Sequence, residues 1–172
     1  MTIRVLIADD QDIVRTGLRM ILDAQPDIEV VGEAVDGRDA LELARSLRPD
    51  VCLFDIRMPE YDGIEVTRRL AGPDVADPLA VVVITTFDMD EYVHGALKAG
   101  ARGFLLKDAG PELLAQAVRS AAAGDALIAP SVTARLLSAF SELGASTREQ
   151  AAQPIDPLTE REEEVLLTVA RG

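Results

Sequence analysis

Short apolar runs alternate with amphipathic stretches up to residue 123, and this alternation narrows the fold more than any other feature of the chain. The runs Ile3–Ala8, Ile28–Ala34, 51–54, 79–85 and Gly103–Leu106 are rich in Val, Ile and Leu and read as strands. Between and after them lie 11–24, Gly37–Leu47, 64–70, 88–99 and 111–123, whose apolar residues recur at helical spacing. Val14, Leu18, Ile21 and Leu22 mark the first, and Leu114, Ala117, Val118 and Ala121 the last. Pro111 suits a first helical turn. The run LAVVVIT at 79–85 is almost continuously apolar, as a strand covered on both faces should be. Strict alternation of this kind implies an α/β fold. It should be a doubly wound, five-stranded parallel sheet with right-handed crossovers and helices on both faces.

With 172 residues, the chain has room for one ordinary domain and an appendage. Hydrophobic residues make up 48% but aromatics only 3%, so the core must be aliphatic. The net charge of −13 argues against a face that grips a nucleic-acid backbone. A single cysteine, Cys52, excludes a disulfide framework and a thiolate zinc cage, and its place inside an apolar run reads as a buried, inert thiol. No N-terminal signal and no membrane-length apolar segment is visible, so a cytoplasmic protein is expected.

The pattern changes after Gly124. One more amphipathic helix is expected over 131–143, then a small, polar, Pro-bounded linker over 144–157. Thr159 followed by Glu162 forms a capping box for a helix from Glu160.

The chemistry gathers at the strand exits. Asp9 and Asp10 follow the first run, Asp55 ends the third, Thr85 ends the fourth and Lys107 follows the fifth. In an open α/β sheet that edge is where ligands bind. With the first and third strands adjacent, the three carboxylates crowd together, and a hard divalent cation with oxygen ligands and retained waters, Mg²⁺, would relieve their repulsion. Lys107 would offer a point charge, and Thr85 a hydroxyl, to phosphoryl oxygens. Each residue alone has a plainer reading. Asp9-Asp10 would cap the helix near Gln11, and Lys107 would be a solvated charge. It is their joint placement that points to a phosphate-and-metal site.

This layout resembles the receiver domain of two-component response regulators. The resemblance rests on Asp9-Asp10, on Asp55 in FDIRMPEYDG, on Thr85 in ITTF and on Lys107 in GFLLKDA, and it covers residues 3–123. The segment LTEREEEVLLTVARG resembles the opening of a LuxR-type helix-turn-helix, which suggests the NarL/FixJ subfamily.

The resemblance implies a flavodoxin-like strand order of 2-1-3-4-5. It also implies a receiver over 1–125, a helical and flexible linker over 126–157, and the start of a helix-turn-helix over 158–172. Asp55 would be the phosphoacceptor. Asp10 and Asp55 would meet Mg²⁺ through their side chains, Arg57 through its backbone carbonyl, and Asp9 through a water. Thr85 and Lys107 would hold the phosphoryl oxygens. Phe104 occupies the switch-aromatic position, where Tyr is common in the family, and is expected to swing inward when Thr85 moves toward the phosphoryl group. The implied partners are a sensor histidine kinase and, on phosphorylation, a second copy of the chain. A recognition helix is needed to enter the major groove, and the sequence stops before one. DNA would therefore be met through a full C-terminal domain and not by these acidic residues.

Three other functions compete. A haloacid-dehalogenase-type phosphatase needs a second Asp two residues after its nucleophile, and that position here is Arg57. A flavin or nucleotide binder wants a Gly- or hydroxyl-rich loop after the first strand, where this chain has Asp9-Asp10-Gln11-Asp12. A receiver that acts without phosphate, as a protein-binding module only, would have no need of the intact acid, hydroxyl and lysine set.

Overall fold

The computed structural model describes residues 2–86, 90–128 and 133–134. Its elements in chain order are β1 (Ile3–Ala8), α1 (Asp12–Asp23), β2 (Ile28–Ala34), α2 (Gly37–Leu47), β3 (Val51–Asp55), α3 (Gly63–Ala71), β4 (Ala80–Thr85), α4 (Asp90–Lys98), β5 (Gly103–Leu106), α5 (Pro111–Ala122) and β6 (Leu127–Ile128). The strands form one parallel sheet in the order β2-β1-β3-β4-β5-β6.

The expected order holds for its five members, and a sixth strand extends it. β6 pairs with β5 through Gly103–Leu127 and Phe104–Ile128. Two residues are too few to show a strand period, so the sequence offered no sign of it. The expected helix over 131–143, apart from residues 133–134, and the linker and capping box beyond it lie outside the described residues.

α1 packs beside α5, while α2 packs beside α3 and α3 beside α4, so helices cover both faces. That cover explains the continuous burial of β3 and β4. The core between the layers is aliphatic, with Phe54 and Phe104 the largest fully buried side chains. Helix starts are fixed by short polar side chains where the sequence supplies them. Asp36 accepts from the Asp39 N–H, and Asp62 from the Glu65 N–H. The N-cap residue of α1, Gln11, makes no side-chain cap bond.

Strand register sets the functional edge. Ala8 lies opposite Phe54, so Asp9 and Asp55 leave adjacent strands at the same level. Asp55 lies opposite Ile84, one residue before Thr85, and Thr85 lies opposite Leu106, one residue before Lys107. Among the described residues, no helix is long and apolar enough to cross a membrane.

Candidate functional site

Parallel pairing brings the strand-exit residues together. Asp9, Asp10 and Asp55 each offer a carboxylate oxygen, and these oxygens lie within 4.8 Å of one another. Asp9 and Asp55 are buried and Asp10 is exposed. Lys107 Nζ stands 2.7 Å from Asp9 Oδ2 and 3.1 Å from Asp55 Oδ2. Its backbone N–H donates to the Thr85 carbonyl at 2.9 Å, which ties the lysine to the end of β4. Thr85 itself is buried.

The remaining lone pairs are partly fixed. Asp55 Oδ1 accepts from the Ile56 N–H at 2.8 Å, and Asp9 Oδ1 accepts from the Gln11 N–H at 2.9 Å. The buried Asp9 Oδ2 has the Lys107 ammonium as its ion-pair partner at 2.7 Å. One lysine thus stands against a cluster of three carboxylates, two of them buried. An all-oxygen donor set with uncompensated negative charge fits a hard divalent cation.

Burial pushes the Asp55 carboxyl above its ordinary range. The Asp9 charge pushes the same way, and Lys107 and the Ile56 N–H oppose it. For Lys107, burial pulls the ammonium down, but its contacts with Asp9 and Asp55 outweigh this and the net shift is upward. The lysine is therefore held as a cation and the acceptor carboxylate is kept in a poorly solvated place.

The loop after Asp55 is braced by backbone. Gly63 N–H donates to the Ile56 carbonyl at 2.7 Å, and Gly37 N–H to the Pro59 carbonyl at 3.0 Å. A Cβ on Gly63 would lie 2.1 Å from the Asp55 carbonyl oxygen, so only glycine lets α3 start this close to the acceptor strand. Arg57 has an exposed side chain, and its Nη2 reaches the Tyr92 hydroxyl at 3.4 Å.

The Phe104 ring, expected to lie inward in the phosphorylated state, is fully buried, opposite Val83 in the sheet. A phenylalanine has no hydroxyl to draw it to the surface, and full burial of such a side chain is worth about 1.5–3 kcal/mol.

Cys52 behaves as its position suggested. Burial pushes its thiol up to about 12, which leaves it unreactive. The contact that sequence reasoning missed is Arg15, on α1, whose Nη1 donates to the Asp9 carbonyl at 2.6 Å. An arginine in a helix carries no signal of this kind until β1 and α1 are seen side by side.

Comparison with known proteins gives the family. The family model for the response regulator receiver domain matches residues 5–119. The chain is 43% identical over 173 residues to the uncharacterized transcriptional regulatory protein YxjL of Bacillus subtilis (strain 168), covering 99% of this chain and 76% of that protein. It is 41% identical over 170 residues to the transcriptional regulatory protein LiaR of the same organism, covering 99% and 77%. Among solved structures, a two-component response regulator of the LuxR family from Aurantimonas sp. SI85-9A1 matches with a TM-score of 0.76 and 30% identity, over 82% of this chain and 99% of that one. Such proteins regulate rather than run metabolic reactions. The family match over most of the fold, joined to these relatives, makes the chain a member of the response regulator receiver family and, within it, a LuxR/NarL-type two-component regulator of transcription.

Proposed function

We propose that Asp55 is the phosphoacceptor of this regulator and that the phosphoryl group comes from a phosphohistidine on a sensor histidine kinase. One observation carries the reading: three carboxylates and one lysine from strands distant in sequence meet at a single point of the sheet edge. In the transfer, a bond forms between an Asp55 carboxylate oxygen and phosphorus. The phosphorus–nitrogen bond of the donor breaks, and its electron pair returns to the imidazole.

Asp9, Asp10 and Asp55, with the Arg57 backbone carbonyl, would hold Mg²⁺, which when bound neutralises charge on the phosphoryl oxygens. Asp55 presents the acceptor oxygen, with its other oxygen held by the Ile56 N–H. Lys107 turns from carboxylate to phosphoryl oxygen, and Thr85 offers its hydroxyl from the end of β4.

An aspartyl phosphate adds charge and acceptor oxygens to a small site. Its contacts with Thr85 and Lys107 bias the face formed by α4, β5 and α5, with Phe104 kept buried beneath it. Moving a population from 1:99 to 99:1 takes about 5.5 kcal/mol. Two hydrogen bonds to charged groups, at about 1.5–3 kcal/mol each, reach that order.

The output is dimerisation and control of a LuxR-type DNA-binding domain in the cytoplasm. Residues 1–125 act as the receiver, 126–157 as the linker and 158–172 as the opening of that domain. The test is labelling by a small-molecule phosphodonor with Mg²⁺. Wild type takes the label and Asp55→Asn does not, and undiminished labelling of Asp55→Asn would place the acceptor elsewhere.

A further inference from the structure

Arg15 makes contacts that an ordinary helix-surface arginine does not. Only 11% of its side chain is exposed. Nη1 donates to the Asp9 carbonyl at 2.6 Å, Nη2 pairs with the Asp12 carboxylate, and Nε lies 3.8 Å from Glu33 Oε1 on β2. That Nε is buried without a hydrogen bond. One guanidinium thus joins α1, the loop after β1, and the edge strand. A cation near the start of a helix opposes the helix dipole, and the Asp12 and Glu33 carboxylates offset that cost. Those ion pairs leave the bond to the Asp9 carbonyl to be accounted for.

The effect on Asp9 supplies the reason. The Asp9 N–H donates to the Ala34 carbonyl at 3.1 Å, its Oδ1 accepts from the Gln11 N–H, and its carbonyl is held by Arg15. Only Oδ2 is left to face the site. The carbonyl that Arg15 grips also belongs to the planar peptide joining Asp9 to Asp10. Fixing that plane fixes where the Asp10 Cα stands, so that only φ and χ1 of this exposed residue are left to direct its carboxylate.

We propose that Arg15 is a positioning residue that locks the Asp9–Asp10 peptide and thereby keeps the Asp10 carboxylate in the cluster with Asp9 and Asp55. The inference rests on reading that cluster as the cation and phosphoryl site.

The two explanations of Arg15 predict opposite signs. If its charge alone mattered, removing it would tighten a divalent cation in the neighbouring acidic cluster. If it positions the ligands, removing it loosens the cation, and the loss of such a supporting contact is worth about tenfold in affinity. The experiment is calorimetric titration of the full chain with Mg²⁺, for wild type, Arg15→Ala and Arg15→Met. The methionine variant keeps the buried stem, so it carries the test should the alanine variant not fold. The expected result is a dissociation constant raised about tenfold. Labelling by acetyl phosphate should then reach the wild-type plateau only at correspondingly higher Mg²⁺. Unchanged or tighter Mg²⁺ binding, with or without a lowered melting temperature, overturns the role given to Arg15 and leaves the site reading standing. A wild type that binds no Mg²⁺ overturns the site reading and this inference with it.

Discussion

Lys107 Nζ lies 3.1 Å from Asp55 Oδ2, across 52 positions of sequence, and the same ammonium lies 2.7 Å from Asp9 Oδ2. A single cation therefore holds apart two buried carboxylates that would otherwise face each other. Lys107→Ala should cost about 3 kcal/mol in urea denaturation without divalent cation, since breaking a buried pair strands its partners. Added Mg²⁺ should recover part of that loss, because a bound cation takes over the neutralisation. The variant should still accept phosphate but change conformation poorly. Equal destabilisation with and without Mg²⁺ would show that the lysine and the cation do not share these carboxylates.

The raised pKa of Asp55 fixes the sign of a pH effect. The folded protein holds the Asp55 proton more tightly than the unfolded chain does. Its contribution to stability is therefore full below the ordinary value of 3.8 and is lost as pH rises through the higher folded value. Asp55→Asn removes the titration. The stability of wild type minus that of Asp55→Asn, from urea midpoints without divalent cation, should fall as pH is raised from below 3.8 to neutrality. Lys107 is also raised, so its own contribution is complete below 10.5 and disappears only at alkaline pH, outside that window. A difference that stays flat or grows would mean that burial does not govern Asp55.

The strand exits were readable because period and position coincide there. An apolar run that ends in Asp, as at Phe54-Asp55, both defines a central strand and places its acid at the ligand edge. The meeting of Asp9 with Asp55 also needed strand order, which came from the family resemblance and not from the runs themselves. Arg15 was not readable, because its role depends on a contact between a helix side chain and a neighbouring backbone carbonyl. β6 was missed because Leu127 and Ile128 gain strand character only through β5.

Gly63 is required by a close approach rather than by an unusual backbone angle. A methyl group there would meet the Asp55 carbonyl at 2.1 Å, so α3 or the end of β3 must move. Gly63→Ala should destabilise by about 1–3 kcal/mol, the usual range for forced overpacking. It should also slow phosphodonor labelling, since the displaced atoms belong to the acceptor residue. Gly17→Ala is the control for adding a methyl to a helical glycine, because a Cβ there meets nothing within 4 Å. Normal stability and labelling of Gly63→Ala, by urea denaturation and acetyl phosphate, would show that the β3–α3 junction yields freely.

Phe104 tests whether packing alone keeps the switch position closed. The ring is fully buried and offers no polar atom, so packing alone holds it. Phe104→Ala should cost about 3–5 kcal/mol, as for other deleted core aromatics. Phe104→Tyr is the sharper change, since it adds only a hydroxyl. Buried without a partner, that group costs about 1–3 kcal/mol, so the variant either loses that much stability or turns its ring outward. Urea denaturation reads the first outcome. Quenching of tyrosine fluorescence reads the second, against a background of only Tyr61 and Tyr92 and no tryptophan. A variant as stable as wild type with its new ring shielded would mean that the pocket already holds a partner for a hydroxyl, and the packing account of this switch would be wrong.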